Sequence, residues 1–133
     1  MIDIEAILTT FLRAQTAVAD LAADRVYTDL PHERTYPLVV LSRTGGGFLI
    51  NRPQWLEAAE LVIDAYGGSR EDAQALAVAC TGPLAQLPGR YPEGAVTKAT
   101  VAAMRYNPDP ESPDDDGHAR PRFTAEVVVV AHP

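Results

Sequence analysis

Apolar residues at Ile4, Ile7, Leu8, Phe11 and Leu12 recur at the three- and four-residue intervals of a helix with one buried side. Asp3 stands where a side-chain acceptor would cap the first turn. The spacing predicts a first helix here, and Val18 and Leu21 either extend its stripe or form a separate short turn. The pattern then changes. Residues 25–28 predict a short strand, and residues 38–43, rich in β-branched and apolar side chains, a buried one. Between them, residues 30–37 form a loop with a proline near each end, where a backbone donor is missing. Gly45, Gly46 and Gly47 interrupt the second strand, and Arg52-Pro53 closes the connection that follows. Over residues 56–66 the chain alternates, with Ala59, Leu61, Ile63 and Ala65 on one face and Glu60, Val62, Asp64 and Tyr66 on the other. That is a strand with one face buried.

Gly67-Gly68 ends this strand, and Ser69 with Asp72 resembles a capping box with Asp in place of the usual Glu. Ala73, Leu76, Ala77 and Cys80 follow at helical spacing until Gly82-Pro83 stops or bends the helix, with Leu84 and Leu87 in a further turn. Residues 89–94 predict a loop, residues 95–106 a long strand weakened by its alanines, and residues 123–131 the clearest strand of the chain, with four successive valines. Residues 107–121 hold four prolines and the run Asp114-Asp115-Asp116, with no apolar side chain fit to anchor a core, so a mobile hairpin loop is expected.

The predicted order is α-β-β-β-α-β-β. The fold class is α+β: a single domain over residues 1–133, with one mostly antiparallel sheet of about five strands and two helices packed on one face. If the third and fourth strands run parallel through a helical crossover, the Gly-rich connection and the acidic loop lie at opposite ends of the sheet. A subunit built that way can meet a different partner at each end.

Composition narrows the function classes. A length of 133 residues fits one domain, and 47% hydrophobic residues suffice for a core. The net charge is −7, Lys98 is the sole lysine and the arginines are scattered, which counts against grip on a nucleic-acid backbone. A single cysteine, Cys80, excludes an internal disulfide and a cysteine-rich metal site. The start of the chain is acidic and no apolar run is long enough to span a bilayer, so no leader and no membrane anchor are expected, and synthesis in the cytosol is.

Catalytic and ligand patterns are weak. His32, His118 and His132 neighbour loop residues rather than occupying ligand positions on ordered elements. Asp114, Asp115 and Asp116 are adjacent, whereas a calcium loop spaces its oxygens and closes with a Glu. The three glycines lead to Pro53 and a strand, not to the helix N-terminus of a phosphate cradle. Cys80 lies on an apolar helix face as a small hydrophobe. These readings predict no catalytic residue, no cofactor and no metal. Trp55 and Tyr66 are residue types that carry interface energy, and they are equally at home in a core. Val62, Tyr66, Val128 and Val130 sit awkwardly on a face that Glu60, Asp64, Thr124 and Glu126 make polar. A subunit interface would account for them, as would a sheet covered on both faces within one chain.

A run of features carries a family resemblance: the N-terminal helix, Asp24-Arg25-Val26-Tyr27-Thr28 with Leu30-Pro31, the segment from Tyr36-Pro37 to Gly45-Gly46, Leu61-Val62-Ile63-Asp64-Ala65-Tyr66-Gly67 leading into the alanine-rich helix, and the closing strand from Arg122 to Val127. In that order the chain resembles the tail terminator proteins of long-tailed actinobacterial phages. The resemblance implies a non-enzymatic virion assembly protein, made in the host cytoplasm and carried in the virion tail. It implies a hexameric ring that caps the tail tube, stops its polymerisation and offers a surface to the head–tail connector. Its partners would be its own copies, the tail tube protein and the connector protein. The regional candidates are Arg43, Gly45, Gly46, Gly47, Arg52, Trp55, Asp114, Asp115 and Asp116 for end-on contacts, and Val62, Tyr66, Val128 and Val130 for the ring interface. Another neck protein, a connector or tail completion protein, is the alternative within the same class. A small-ligand-binding domain or enzyme would need convergent polar groups in a pocket.

Overall fold

The computed structural model describes residues 2–48 and 56–133. Helix α1 (Ile4–Arg13) starts where Asp3 accepts the Ala6 N–H at 3.0 Å, and it buries Ile4, Ile7, Leu8 and Leu12. Each such side chain contributes about 1.5–3 kcal/mol of transfer free energy. The stripe does not continue as one helix. A turn at Ala14 starts α2 (Thr16–Ala22), which turns Val18 and Ala22 inward and leaves Leu21 40% exposed. The third helix, α3 (Arg70–Thr81), is capped by Ser69 Oγ accepting from the Asp72 N–H at 3.1 Å. Ala73, Leu76, Ala77 and Cys80 form its buried side, against β3 and β6. A 3-10 turn (Gly82–Gln86) then brings Leu84 and Leu87 into the core.

The strands are β1 (Val26–Tyr27), β2 (Leu38–Phe48), β3 (Glu57–Tyr66), β4 (Gly89–Tyr91), β5 (Gly94–Tyr106) and β6 (Arg122–His132), in sheet order β1-β2-β3-β6-β5-β4. Among the described residues only β1 and β2 are parallel neighbours, and every other pair is antiparallel. The described residues therefore form a sheet of six strands where about five were expected, and three α-helices where two were expected. The added strand is β4, three residues folded back on the start of β5 in a segment whose Gly and Pro content predicts only a loop. The glycines also behave differently from expectation. They do not end β2: the register shifts between Arg43 and Gly45 and the strand runs on to Phe48.

β6 lies between β3 and β5 and is antiparallel to both, so β3 and β5 run the same way without being neighbours. The segment from β3 to β5 through α3 is thus the anticipated crossover. It sets the β2–β3 connection and residues 107–121 at opposite ends of the sheet. Along β3 the alternation is as the sequence pattern predicts, with Ala59, Leu61, Ile63 and Ala65 buried under the helices.

Candidate interaction surfaces

At the Gly-rich end, the β-bulge after Arg43 turns its side chain back along the hairpin. Arg43 Nε donates to the Gly45 carbonyl at 3.1 Å and Nη2 meets Glu57 Oε2 at 3.3 Å. Glu57 is 2% exposed, and its other oxygen accepts the Ile2 N–H at 2.7 Å. One buried carboxylate therefore ties the N-terminal segment to the base of the hairpin, while the buried Nη1 of Arg43 has no hydrogen-bond partner among the described residues. Gly46 has φ +90°, and a Cβ there would lie 2.0 Å from the Ala58 carbonyl oxygen. Only glycine fits that close strand approach. Gly45 is half-buried beside the Glu60 side chain and Gly47 faces open space. Arg52 and Trp55 lie outside the described residues.

At the opposite end, residues 107–121 are tied to the sheet by polar groups rather than apolar ones. Asp109 and Arg120 form an antiparallel bridge. The Tyr66 hydroxyl donates to Asp109 Oδ2 at 2.9 Å, Arg122 Nη1 lies 3.6 Å from the same carboxylate, and the Glu111 N–H donates to its other oxygen at 3.0 Å. Burial disfavours the Asp109 charge, but the hydrogen bonds from Tyr66, the Glu111 amide and Ser112, with the charge of Arg122, outweigh it and hold the carboxyl below its usual range. Burial pushes the Tyr66 phenol up to about 12, with Arg122 opposing and Asp109 assisting. The network extends through Thr124, whose hydroxyl donates to Asp64 at 2.7 Å and accepts from Asn107 at 3.2 Å. Arg34 donates to Ser112 at 3.0 Å, and the Arg120 guanidinium lies 3.9 Å from the centroid of the Tyr36 ring.

The acidic tip is a compact turn. Asp114 Oδ1 accepts the N–H groups of Asp116 and His118 at 3.0 and 2.9 Å, and Gly117 takes φ +80°. Asp115 and Asp116 remain exposed. Ligand atoms of Asp114, Asp116 and His118 come within 4.8 Å of one another, a gathering the sequence spacing does not suggest.

The sheet face turned away from the helices carries the remaining candidates. Val62, Val128 and Val130 are half-buried there. Val62 and Val128, with Thr44, Glu60, Ala102 and Glu126, line a shallow groove of about 230 Å³. Tyr66 is different. It is 3% exposed, with its hydroxyl on Asp109 and its ring 6.0 Å from that of Tyr36, so its own chain already covers it.

Strand β5 is the long strand predicted over residues 95–106, but none of its residues is among the contact candidates named from the sequence. It pairs with β6 along its length, but β4 covers only Gly94–Val96 on the other side. Beyond that point its outer edge has no strand partner among the described residues. Every residue from 97 to 105 except Ala99 is exposed, whichever face it points to, and Val101 and Met104 are each 37% exposed.

These features define a small α+β protein whose distinctive parts are surfaces: two loop-bearing ends and an open sheet edge. No protein-family model and no curated protein sequence matches the chain. Among solved structures, a chain of the virion of a native gene transfer agent particle shares the fold with a TM-score of 0.76, over 98% of this chain and 95% of that one, at 16% identity.

Proposed function

We propose that this chain is a structural subunit of a phage-like virion and acts as a tail terminator. Copies form a hexameric ring on the end of the tail tube, stop its growth and present the opposite surface to the head–tail connector. The observation that carries this reading is the fold shared almost end to end with a chain of a gene transfer agent virion. One structural feature fits it. The glycine-bearing end of β2 and the acidic loop lie at opposite ends of the sheet, an arrangement suited to a ring between two different partners. The surfaces available are for docking, and the action is assembly rather than catalysis. Production is in the host cytoplasm and the final place is the virion tail.

The test is solution mass by light scattering across a concentration series, alone and with the tail tube protein of the same genome. A ring, or a complex that halts tube growth, supports the reading. Binding to the connector protein but not to the tube moves the chain to the joining step of the neck. A monomer indifferent to both rejects the proposal.

A further inference from the structure

The two lateral edges of the sheet are opposite in chemistry. Residues 89–106, which form β4 and β5, carry Arg90, Lys98 and Arg105 against one acid, Glu93, in a chain of net charge −7. All three cations are exposed, and Arg105 is loosely held by Glu126 on the neighbouring strand at 3.5 Å. At the far edge, α1, β1 and the residues flanking them carry Asp3, Glu5, Asp24 and Asp29 against Arg13 and Arg25. Both of those arginines are engaged with backbone carbonyls, Arg13 with Asp24 and Val26 and Arg25 with Pro37. Between α1 and β1 this edge opens into a groove of about 730 Å³, lined by the three acids Asp3, Glu5 and Asp29 and by one cation, Arg13, with Tyr27 and Thr28 beside them.

We infer that the ring closes head to tail, with the open β5 edge of one copy lying in the acidic α1–β1 groove of the next. The inference rests on the ring reading above and names the surfaces that make it. β5 offers a row of backbone groups with no strand partner among the described residues and the exposed side chains of Val101 and Met104, and such an edge invites a protein partner unless guarded. Its guards are two bulges and its cations. These disfavour pairing of β5 with β5 across a two-fold axis, where Lys98 and Arg105 would meet the same charges. They do not disfavour an acidic groove. Because the two surfaces lie on opposite edges of one sheet, the contact is heterologous, and repeated contacts of that kind close into a ring when the rotation permits. The occupant of each surface is therefore a second copy of this chain.

Charge reversal tests this. Lys98→Glu with Arg105→Glu reverses the edge, and Glu5→Lys with Asp29→Lys reverses the groove while sparing the Asp3 cap. Each double variant alone should associate roughly tenfold or more weakly than wild type, in the ring assay or on the tube end. An equimolar mixture should recover association, because edges and grooves then alternate in sign around the ring. Unchanged thermal unfolding would show that the variants fold. If either folds poorly, single cysteines at Ala102→Cys and Thr28→Cys give an independent reading, since the native Cys80 is buried. Oxidation should link the two variants to each other and neither to itself. Wild-type association that survives both reversals, or that is lost and not recovered on mixing, or an Ala102→Cys homodimer, overturns the inference and leaves the ring reading standing. A wild-type chain that never associates overturns both.

Discussion

The Tyr66 hydroxyl donates a 2.9 Å hydrogen bond to Asp109, 43 residues further along the chain, and both residues are buried. β3 thus ends on a carboxylate supplied by the loop that leaves β5. Arg122 completes the group, with Nε on the Asn107 carbonyl at 2.7 Å and Nη1 on the Tyr66 hydroxyl at 3.2 Å. The acidic end of the molecule is held by this network, and the loop reaches the sheet without any apolar anchor.

Tyr66→Phe removes the donor and leaves a buried carboxylate one bond short. The expected loss is about 1–3 kcal/mol, read as a lower urea midpoint with an unchanged slope. The ring keeps its packing beside Tyr36, so a loss near zero would mean that Arg122 and the Glu111 amide satisfy Asp109 without it.

The same pair sets a pH dependence with two limbs. Folded Asp109 binds its proton less tightly than the unfolded chain does. Its stabilisation is complete above about pH 4 and is lost as pH falls through the lowered folded value. Asp109→Asn should flatten that acid limb. Tyr66 is shifted upward, to about 12. Its contribution is complete below about pH 10 and is lost as pH rises through the folded value. Burial also pushes the Cys80 thiol up to about 12, so Tyr66→Phe should reduce the alkaline limb without abolishing it. Urea midpoints measured from pH 2 to 12 would show both slopes.

Gly46 and Gly47 should respond oppositely to alanine. At Gly46 the positive φ and the 2.0 Å approach to the Ala58 carbonyl leave no room for a Cβ. Gly46→Ala should cost roughly 2–4 kcal/mol. At Gly47 a Cβ would meet nothing within 4 Å among the described residues, and Gly47→Ala should change stability by no more than about 0.5 kcal/mol. Thermal melts of the two variants side by side check the contrast.

Shortening the acidic loop should have an effect that depends on where the cut falls. Replacing residues 114–117 with a short glycine turn removes only exposed or self-bonded groups and should shift stability by about 0.5 kcal/mol or less. Removing all of residues 107–121 also takes Asp109, Ser112 and Asn107, and with them the partners of Tyr66, Arg34, Arg122 and Thr124. A clear fall in melting temperature is expected for that deletion alone. Equal behaviour of the two deletions would rule the network out as the anchor.

Much of the fold follows from local pattern. Alternation along β3, the helical spacing of α1 and α3 and their Asp3 and Ser69 caps are set by residues within a few positions of one another, so the sequence alone determines them. The α+β class follows from the same pattern, whereas the opposite placing of the two long connections hangs on β3 and β5 running the same way, which the sheet order supplies. The division of α1 from α2 was left open because Val18 and Leu21 fit either a continued stripe or a new one. β4 was invisible because three residues beside glycine and proline have no strand signal until β5 pairs with them.

Tertiary structure alone decided the features on which function turns. Tyr66 and Arg122 are brought opposite each other by the β3–β6 register, and that register then delivers Asp109 to both. An isolated Tyr at a strand end gives no sign of such a partner. β5 is the clearer case. Its two threonines and two valines specify a strand despite its alanines, but whether either face is covered depends on how far the helical layer extends. α3 packs chiefly on β3 and β6, and the helical layer covers only the start of β5 at Ala95 and Val96, which leaves residues 97–105 apart from Ala99 exposed, beside an edge with no strand partner among the described residues. Burial is a property of what stands opposite a residue, and the local sequence does not contain it.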